Sequence, residues 1–593
     1  MNKQYSVVFK NRDIVRQVTE GTLLESIIRE VEPGFVFPCN GRGSCGKCRV
    51  RAEGELTPPT STEIRHLGSA ALAAGVRLAC QAKVIGPVQV KLPEMISGEA
   101  ILSAGYLRSQ APDPLWSRVR LEKPEPLTWE AIASVLPADC RPSLNVLREI
   151  PRLPRETPEL SLDILNGQVI GVTAGSDPGA CYAVAVDIGT TTLAAYLVNL
   201  ATAGIERTVS AFNPQGSYGA DLISRISHAA TTEGLEELHR AVIAAVNRFV
   251  VELACAAGIH LSQIIQVNLA GNSCMSQLFL KVDPESLGRL PFEPVVKDLV
   301  RMTPAELGLT INADGLVYVL PGIGGFIGSD ISAGALACEL NGDKTELFID
   351  IGTNGEIILT GKGRMLASST AAGPAFEGAK ISCGRLAGPG AVADLQFTPA
   401  GLELVTIGNQ PPSGICGTGL IRAVVELVKR GIIEETGRFA DGLSDPRYDP
   451  EQKRYYLTER NVSDQEVEPV YISQQDIRQF QLAKGAVYAG IHLLMKKLGL
   501  KPEDLSTVYL AGAFGSYLKP EDAVFLGLLP PVPLDRIKAV GNTAGMGTVI
   551  TVLSQTALED LRLLTRRIEH VELANDPEFT EIFTEAMMFR DSD

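Results

Sequence analysis

Four cysteines near the N-terminus have a spacing that suits metal–thiolate chemistry. Five residues separate Cys39 from Cys45, two separate Cys45 from Cys48, and Cys80 follows after a further 31. Four thiolates can hold an iron–sulfur cluster or a zinc ion. Zinc ribbons pair two short cysteine knuckles, and only one short knuckle occurs here. The spacing therefore favours a [2Fe–2S] cluster held by Cys39, Cys45, Cys48 and Cys80, with structural zinc as the alternative.

Glycines lie between these cysteines, at Gly41, Gly43 and Gly46. Glycine lets backbone N–H groups turn toward bridging sulfides, which helps to set the potential of a cluster. The three-plus-one spacing resembles that of vertebrate-type and bacterial ferredoxins, and this resemblance implies a β-grasp fold. Arg42, Lys47, Arg49 and Arg51 surround the cysteines and could steer an acidic redox partner to them.

Two further stretches each place an aspartate at the end of an apolar strand and follow it with small residues. Asp187 begins DIGTTT, and Asp350 begins DIGTNG 163 residues later. Nucleotide phosphates need backbone N–H donors at close range, which glycine and small hydroxyl residues allow. The repetition suggests two related lobes facing a cleft. Asp187 and Asp350 would then hold Mg²⁺ through waters.

Other small-residue segments extend this pattern, at LAGNS (269–273), AGAFG (511–515) and VGNTAG (540–545). Their order resembles the actin, sugar-kinase and chaperone-ATPase superfamily, which implies two RNase-H-like lobes that close on ATP. A Walker A motif and a Rossmann GxGxxG with its ribose-binding acid are both missing. Asp221 and Asp330 could orient the attacking water, although helix capping explains them equally well. The predicted ATP-binding residues are Gly189, Thr190, Thr191, Thr192, Gly271, Asn272, Gly352, Thr353, Asn354, Gly512, Ala513, Phe514 and Gly515.

The elements that must position these residues divide the chain into four regions. In the first, a hairpin is predicted over 4–18, a helix over 22–31 with Thr22 as its N-cap, and a helix over 61–74. Longer helices are predicted over 233–257, 476–498 and 557–568, with Lys484 at a solvated edge. The predicted regions are a ferredoxin-like domain at 1–93, a flexible proline-rich linker at 94–127, a small middle domain at 128–180, and an ATPase domain at 181–593 with lobes at about 181–345 and 346–593.

Composition and charge narrow the class of protein. The chain has 593 residues, 45% apolar and 21% charged, which is typical of a soluble multidomain protein. Its N-terminus has no apolar signal core, and no uncharged run is long enough for a membrane span, so we expect a cytoplasmic protein without a membrane partner. Residues 1–93 carry a net charge of +5 and the other 500 carry −20. This distribution argues against nucleic-acid binding by the whole chain.

A ferredoxin domain fused to this ATPase fold resembles the reductive activators of corrinoid-dependent methyltransferase and O-demethylase systems. The resemblance extends from the cluster motif through the linker and middle domain to the ATPase domain. It rests on FPCNGRGSCGKCRV, RLACQAKV, AVDIGTTTLAAYL, NPQGSYGADLISRI, LAGNSCM, PGIGGFIGSD, FIDIGTNGEI, AAGPAFEGAKISCG and LAGAFGSYL.

This resemblance implies a reaction, cofactors and partners. The corrinoid of a methyl-carrying protein is inactivated by oxidation to Co(II), and an activator returns it to Co(I) with an electron and ATP. The cofactors would be the [2Fe–2S] cluster, ATP and Mg²⁺. The partners would be a corrinoid protein, a low-potential donor such as a ferredoxin or flavoprotein, and a second copy in a homodimer. Two alternatives remain: an ATP-gated electron donor to another metalloenzyme such as a dehydratase, and a small-molecule kinase with a redox-sensing head.

Overall fold

A computed structural model gives the fold of most of the chain. None of the helices in the part of the chain that it describes is long and apolar enough to cross a membrane. The structure describes residues 3–10, 14–32, 35, 37, 41, 43, 46, 48–92, 112–154, 156–175, 179–352, 354–378, 380–399, 401–459, 469–515, 517–573 and 576–589.

The N-terminal region is a mixed five-stranded sheet with two helices, and the predicted β-grasp fold is confirmed. The sheet order is β2-β1-β5-β3-β4, with β1 parallel to β5. Val7, Phe9, Ile27 and Val90 are among the side chains of its core. The predicted cap is wrong: α1 begins after Leu23, because the Thr22 hydroxyl donates to the Thr19 carbonyl instead. The elements are β1 Gln4–Phe9, β2 Ile14–Thr19, α1 Leu24–Val31, β3 Arg49–Leu56, α2 Ser61–Ala73, β4 Val76–Leu78 and β5 Val84–Lys91.

A four-stranded sheet of order β6-β8-β9-β7 follows. Its first strand lies inside the predicted linker, so that prediction is wrong for residues 116–122; residues 93–111 lie outside the described residues. The strand forms because every residue from Trp116 to Glu122 pairs with β8, and Arg118 pairs with Asp163. The elements are β6 Trp116–Glu122, α3 Trp129–Ala133, β7 Arg141–Pro142, α4 Leu144–Glu149, β8 Glu159–Leu165 and β9 Gln168–Ala174.

The first lobe is built on a six-stranded sheet of order β12-β11-β10-β13-β15-β14. The strand β10 is antiparallel to β11 and parallel to β13. Both faces of β10 are buried, which explains its continuous apolar sequence. The elements are β10 Tyr182–Ile188, β11 Thr192–Asn199, β12 Ile205–Phe212, α5 Leu222–Ala229, α6 Thr232–Ala257, β13 Ile264–Gly271, α7 Ser273–Phe279, β14 Val300–Met302, α8 Pro304–Leu307, β15 Leu316–Val319 and α9 Ser329–Ala337.

The second lobe has a six-stranded sheet of order β26-β25-β16-β17-β18-β27. Two three-stranded sheets extend it. The elements are β16 Glu346–Ile351, β17 Gly355–Gly361, β18 Arg364–Thr370, β19 Ala391–Thr398, β20 Gly401–Thr406, β21 Gly414–Ile415, α10 Gly417–Lys429, β22 Tyr448–Asp449, β23 Arg454–Tyr456, β24 Tyr471–Ser473, α11 Gln474–Leu498, β25 Thr507–Ala511, α12 Gly512–Gly515, α13 Pro520–Phe525, β26 Ile537–Gly541, α14 Thr543–Leu553, α15 Gln555–Arg567, β27 Ile568–His570 and α16 Pro577–Ala586.

The two lobes share one topology. Within each six-stranded sheet, and leaving out the edge strands β14 and β27, five strands counted along the chain lie in the order 3-2-1-4-5. These are β12-β11-β10-β13-β15 in the first lobe and β18-β17-β16-β25-β26 in the second. In both lobes the first three strands are antiparallel and the fourth is parallel to the first. The fold class predicted from the repeated aspartate motif, two RNase-H-like lobes, is therefore confirmed.

Helices α9 and α14 lie between the two sheets and contribute to one apolar core with both. The helices cross at glycines. A Cβ on Gly547 would overlap the Ala333 carbonyl, and one on Gly334 would lie 2.7 Å from the Phe348 ring. The small-residue sequences of these helices therefore allow the two sheets to approach the same helix pair closely.

Candidate functional site

Two of the four predicted cluster ligands lie side by side in the structure. Cys48 precedes β3 and Cys80 follows β4, and the pairing of Arg49 with Leu78 brings them together. Their Sγ atoms are 3.3 Å apart and both thiols are buried. The hydrogen bond from Cys48 lowers the pKa of Cys80 to about 7. Cys39 and Cys45 lie outside the described residues.

The surroundings of these thiols fit a thiolate-bound cluster. Gly43 and Gly46 have φ angles of 73° and 64°, which residues with a Cβ rarely adopt. A Cβ on Gly46 would lie 2.9 Å from the His66 ring, so the loop needs glycine for space as well. The Gln81 amide also donates to Cys80 Sγ at 3.6 Å. Close backbone and an N–H donor to sulfur are features of iron–sulfur sites.

The first aspartate loop, residues 189–191, follows β10. Asp187 is the last residue but one of that strand. The Asp187 carboxylate is buried and accepts a hydrogen bond from Asn542 Nδ2 at 2.9 Å. Burial raises its pKa to about 6, and the amide donor partly offsets this shift. Asn542 also caps α14 through Gly545 N. Asn542 thus joins the acid of the first lobe to α14, the helix that follows β26 of the second lobe.

A group of side chains behind the Asp187 loop fixes its backbone. Asn213 Nδ2 donates to the Gly189 carbonyl at 2.8 Å, and Arg225 Nη2 donates to the Thr190 carbonyl at 2.5 Å. Asn272 Nδ2 donates to Thr190 Oγ1 at 3.0 Å while its side-chain oxygen caps α7. With these carbonyls held by the protein, the loop keeps one conformation. Thr192 begins β11, and Gly271 ends β13.

The second aspartate loop, residues 352–354, lies between β16 and β17. It closes on itself, since Gly352 N donates to the Asn354 carbonyl at 2.9 Å; Thr353 lies outside the described residues. Gly512 has a φ of 81°, and a Cβ there would overlap Asp350 Oδ1. The predicted adenosine segment therefore touches the second acid. The side chains of Ala513 and Phe514 lie outside the described residues, and Gly515 ends α12.

The charge of Asp187 acts on Asp350 in the second lobe. Burial, together with the charges of Asp187 and Glu377, raises the pKa of Asp350 to about 7. Thr191 Oγ1 donates to Glu377 Oε2 at 3.0 Å, which links the first loop to the second lobe. The duplicated loops therefore face one another, as the sequence predicted.

More carboxylates lie near this pair. Burial raises the pKa of Asp330 to about 8, with Asp350 and Asp187 adding to the shift. Burial also raises the pKa of Glu356 well above its usual range, with the charges of Asp330 and Asp350 contributing. In the described part of the chain, no three His, Cys, Asp or Glu side chains are placed to hold a metal ion directly.

The sequence analysis missed Glu356, Glu377 and Arg225. Glu356 directly follows the DIGTNG motif, so its position was a usable signal. Glu377 and Arg225 act through contacts with residues far away in the sequence, which a motif does not reveal. Asp221 caps α5 through Ser224 N at 2.8 Å, which is the structural alternative already considered for it. Lys484, expected at a solvated edge, is buried and donates to the carbonyls of Ala586 and Met588.

Comparison with known proteins identifies the family. Three family models match: a 2Fe–2S iron–sulfur cluster binding domain at residues 9–84, the RACo middle region at 182–343, and the C-terminal ASKHA domain of RACo at 344–593. The chain is 30% identical to the corrinoid activation enzyme RamQ of Eubacterium limosum, over 96% of this chain and 97% of that protein. The chain belongs to the reductive activators of corrinoid proteins.

Two further relatives agree with this assignment. The [Co(II) methylated amine-specific corrinoid protein] reductase of Methanosarcina barkeri is 26% identical over 68% of this chain and 76% of its own length. A solved structure described as a reductive activator for a corrinoid, iron–sulfur protein superposes with a TM-score of 0.73 at 28% identity, covering 99% of both chains. The solved activator therefore shares the architecture of the chain over nearly its full length.

Proposed function

We propose that this activator reduces the Co(II) corrinoid of a partner protein to Co(I) and uses ATP to drive the transfer. One electron enters from a low-potential donor and leaves to cobalt, while ATP and water become ADP and phosphate. The observation that carries the proposal is that one chain joins a paired-thiol site to two aspartate loops that lie close together between the lobes.

The proposed cluster ligands are Cys39, Cys45, Cys48 and Cys80. Within the described residues, the 3.3 Å separation of Cys48 and Cys80 supports this assignment. When bound, a [2Fe–2S] cluster accepts and donates one electron at a time. The Cys48 thiol and the Gln81 amide donate hydrogen bonds to Cys80, and these bonds favour its thiolate form against the opposing effect of burial.

The proposed nucleotide site uses both aspartate loops. Residues 189–192 and 352–354 would donate backbone N–H groups to the phosphates. Asp187 and Asp350 would hold Mg²⁺ through waters, and the ion would favour their charged forms. Gly271, Asn272 and residues 512–515 would complete the phosphate and adenosine contacts. Asn272 supports this assignment because it already bonds to Thr190.

The proposed role of Asp330 differs from that of Asp187 and Asp350. Burial and the charges of Asp350 and Asp187 raise the pKa of Asp330 to about 8, so without a bound cation its carboxyl would carry a proton at neutral pH. A cation bound beside Asp187 and Asp350 would lower the pKa of Asp330 and convert it to an acceptor. Asp330 could then orient the attacking water only when the metal is present.

The partners follow from charge and family. The +5 charge of residues 1–93 suits an acidic donor or corrinoid protein, because opposite charges speed encounter. We propose a cytoplasmic ferredoxin or flavoprotein as the donor and a homodimer as the assembly, both on the family resemblance alone.

The test is a reconstituted reaction with purified corrinoid proteins in the Co(II) state. Activator, reductant and Mg-ATP should convert the Co(II) absorption spectrum of a cognate protein to that of Co(I), and omission of ATP should stop the conversion. No spectral change with any candidate corrinoid protein would overturn the proposal. ATP-dependent phosphorylation of a small molecule would support the kinase alternative instead.

Three variants separate the two halves of the reaction. Cys45→Ser should abolish the visible cluster absorption and cobalt reduction but leave ATP binding intact. Asp187→Asn should keep the cluster absorption and lose ATP-dependent cobalt reduction. Cys255→Ser, at an exposed cysteine of α6, is the matched control and should behave like the parent protein.

A further inference from the structure

Within the described residues, the iron–sulfur domain contacts a short segment of the first lobe. Ser217 Oγ donates to the Phe35 carbonyl at 3.4 Å. The guanidinium of Arg29, on α1, lies over the Tyr218 ring at 5.8 Å and over the Phe37 ring at 4.5 Å. Ser217 and Tyr218 belong to the docking segment, residues 213–219, which connects β12 with α5.

The same segment supports the Asp187 loop from behind. At its start, Asn213 donates from both its backbone and its side chain, to the carbonyls of Thr191 and Gly189. At its end, the Gly219 carbonyl accepts from Arg225 Nε at 2.9 Å, and the same guanidinium donates to the Thr190 carbonyl. Tyr218 N donates to the Gln215 carbonyl within the segment. Each carbonyl of residues 189–191 is thus bonded to the docking segment or to its Arg225 anchor.

On the opposite side, α1 leads to the cluster loop. Arg29 forms an ion pair with Glu25 at 2.5 Å. A Cβ on Gly41 would lie 2.5 Å from a Glu25 carboxylate oxygen, so this acid lies against the cluster loop. Phe37 is two residues from Cys39 in the sequence. The contact with the first lobe is therefore made by residues next to the glycine-containing cysteine loop in sequence, and through Glu25 it reaches Gly41 of that loop.

We propose that residues 213–219 form a nucleotide-sensitive docking site for the chain's own iron–sulfur domain, so that docking and nucleotide binding favour each other. This inference rests on the proposed function, because it takes the Asp187 loop as a phosphate-binding loop. Docking holds the segment that fixes the loop, and a loop held in its binding conformation loses less entropy when phosphate arrives. By linkage, bound nucleotide strengthens docking by the same factor.

Hydrogen exchange on the full-length, cluster-loaded chain tests the coupling. Nucleotide binding to the parent protein is first measured by calorimetry with Mg²⁺ and a non-hydrolysable ATP analogue. Saturating analogue should then slow amide exchange in α1. Tyr218→Ala should speed this exchange in the free protein, remove the response to analogue, and weaken analogue binding about 5-fold.

A second variant and a control guard against simple unfolding. Arg29→Gln removes the other side of the contact and should reproduce the weaker binding, while the double variant should weaken binding no further than either single change. Arg16→Ala removes an exposed ion pair with Glu30 of α1, away from the docking segment, and should respond to the analogue like the parent.

The outcomes separate the two proposals. If the parent protein binds no nucleotide, the proposed function fails and the coupling fails with it. If the parent binds nucleotide but α1 exchange is unchanged or faster, or the variants bind as tightly as the parent, only the coupling is overturned.

Discussion

The two aspartate loops have one backbone plan and different surroundings. Asp187 and Asp350 each end the first strand of a lobe and precede an antiparallel second strand. Behind the Asp187 loop, Asn213 and Arg225 bond to its carbonyls, whereas the Asp350 loop closes through its own Asn354. Duplication therefore conserved the position of the acid, while support for the loop depends on neighbours that differ between lobes.

The largest expected effect is on ATP turnover, to which the two aspartates should contribute equally. We expect Asp187→Asn and Asp350→Asn each to lower ATP turnover by about 100-fold, since both carboxylates would contribute to the metal and phosphate charge balance. Phosphate release at saturating Mg-ATP is the measurement. Near-parent turnover in one variant alone would mean that a single loop carries the chemistry.

The next largest effect concerns the support of the first loop. Arg225→Met leaves the buried carbonyls of Thr190 and Gly219 without this donor, so it should lower the free energy of unfolding by about 3 kcal/mol and weaken ATP binding. Urea unfolding and calorimetry are the measurements.

A matched arginine in the second lobe provides the control for Arg225→Met. Arg536 donates to the carbonyls of Glu503 and Leu505, away from both loops. Arg536→Met should be destabilised but should bind ATP like the parent. Equal losses of ATP affinity in the two variants would show that general destabilisation, and not the loop, accounts for the effect.

A smaller change sharpens the difference in loop support. Asn213→Ala should raise the dissociation constant for ATP about 5-fold through loss of one side-chain hydrogen bond of roughly 1 kcal/mol. Asn354→Ala should raise it less, because the bond that closes the second loop is made by the Asn354 backbone carbonyl, which alanine keeps. The reverse order would contradict the view that the first loop depends on external support.

The smallest expected effect is on the pH dependence of folding stability, measured without nucleotide or metal. The folded pKa values of Asp187 and Asp350, about 6 and 7, lie above the ordinary value of 3.8. At these two acids the folded chain therefore binds more protons than the unfolded chain between about pH 4 and 7, so their contribution to stability falls as pH rises through this range.

The two acids should differ in this respect, because Asp187 has an amide donor while Asp350 faces like charges. At pH 8, Asp350→Asn should raise the melting temperature by about 2–4 °C and Asp187→Asn by less, and both gains should vanish at pH 4. A larger gain for Asp187→Asn would contradict the view that like charges make Asp350 the more destabilising of the two acids.

The sequence could predict the fold class and the two acids because both depend on local patterns. An apolar strand that ends in Asp187 or Asp350, repeated in the chain, specifies a duplicated lobe without any contact information. The strand at residues 116–122 was missed because prolines around it suggested a linker, and only its pairing with β8 makes it a strand. Glu377, Arg225 and Lys484 were misjudged or missed because their partners lie far away in the sequence.

The glycine crossing of α9 and α14 limits how the lobes can move. A wide hinge would have to separate two sheets that share one apolar core with this helix pair, and so would expose that core to water. Sliding of one helix along the other would keep that core covered, because the helices meet closely where Gly547 lies against the Ala333 carbonyl. Lobe motion in this activator should therefore be a shear of a few ångströms, too small for domain-level distance probes and best seen as altered protection along the two helices.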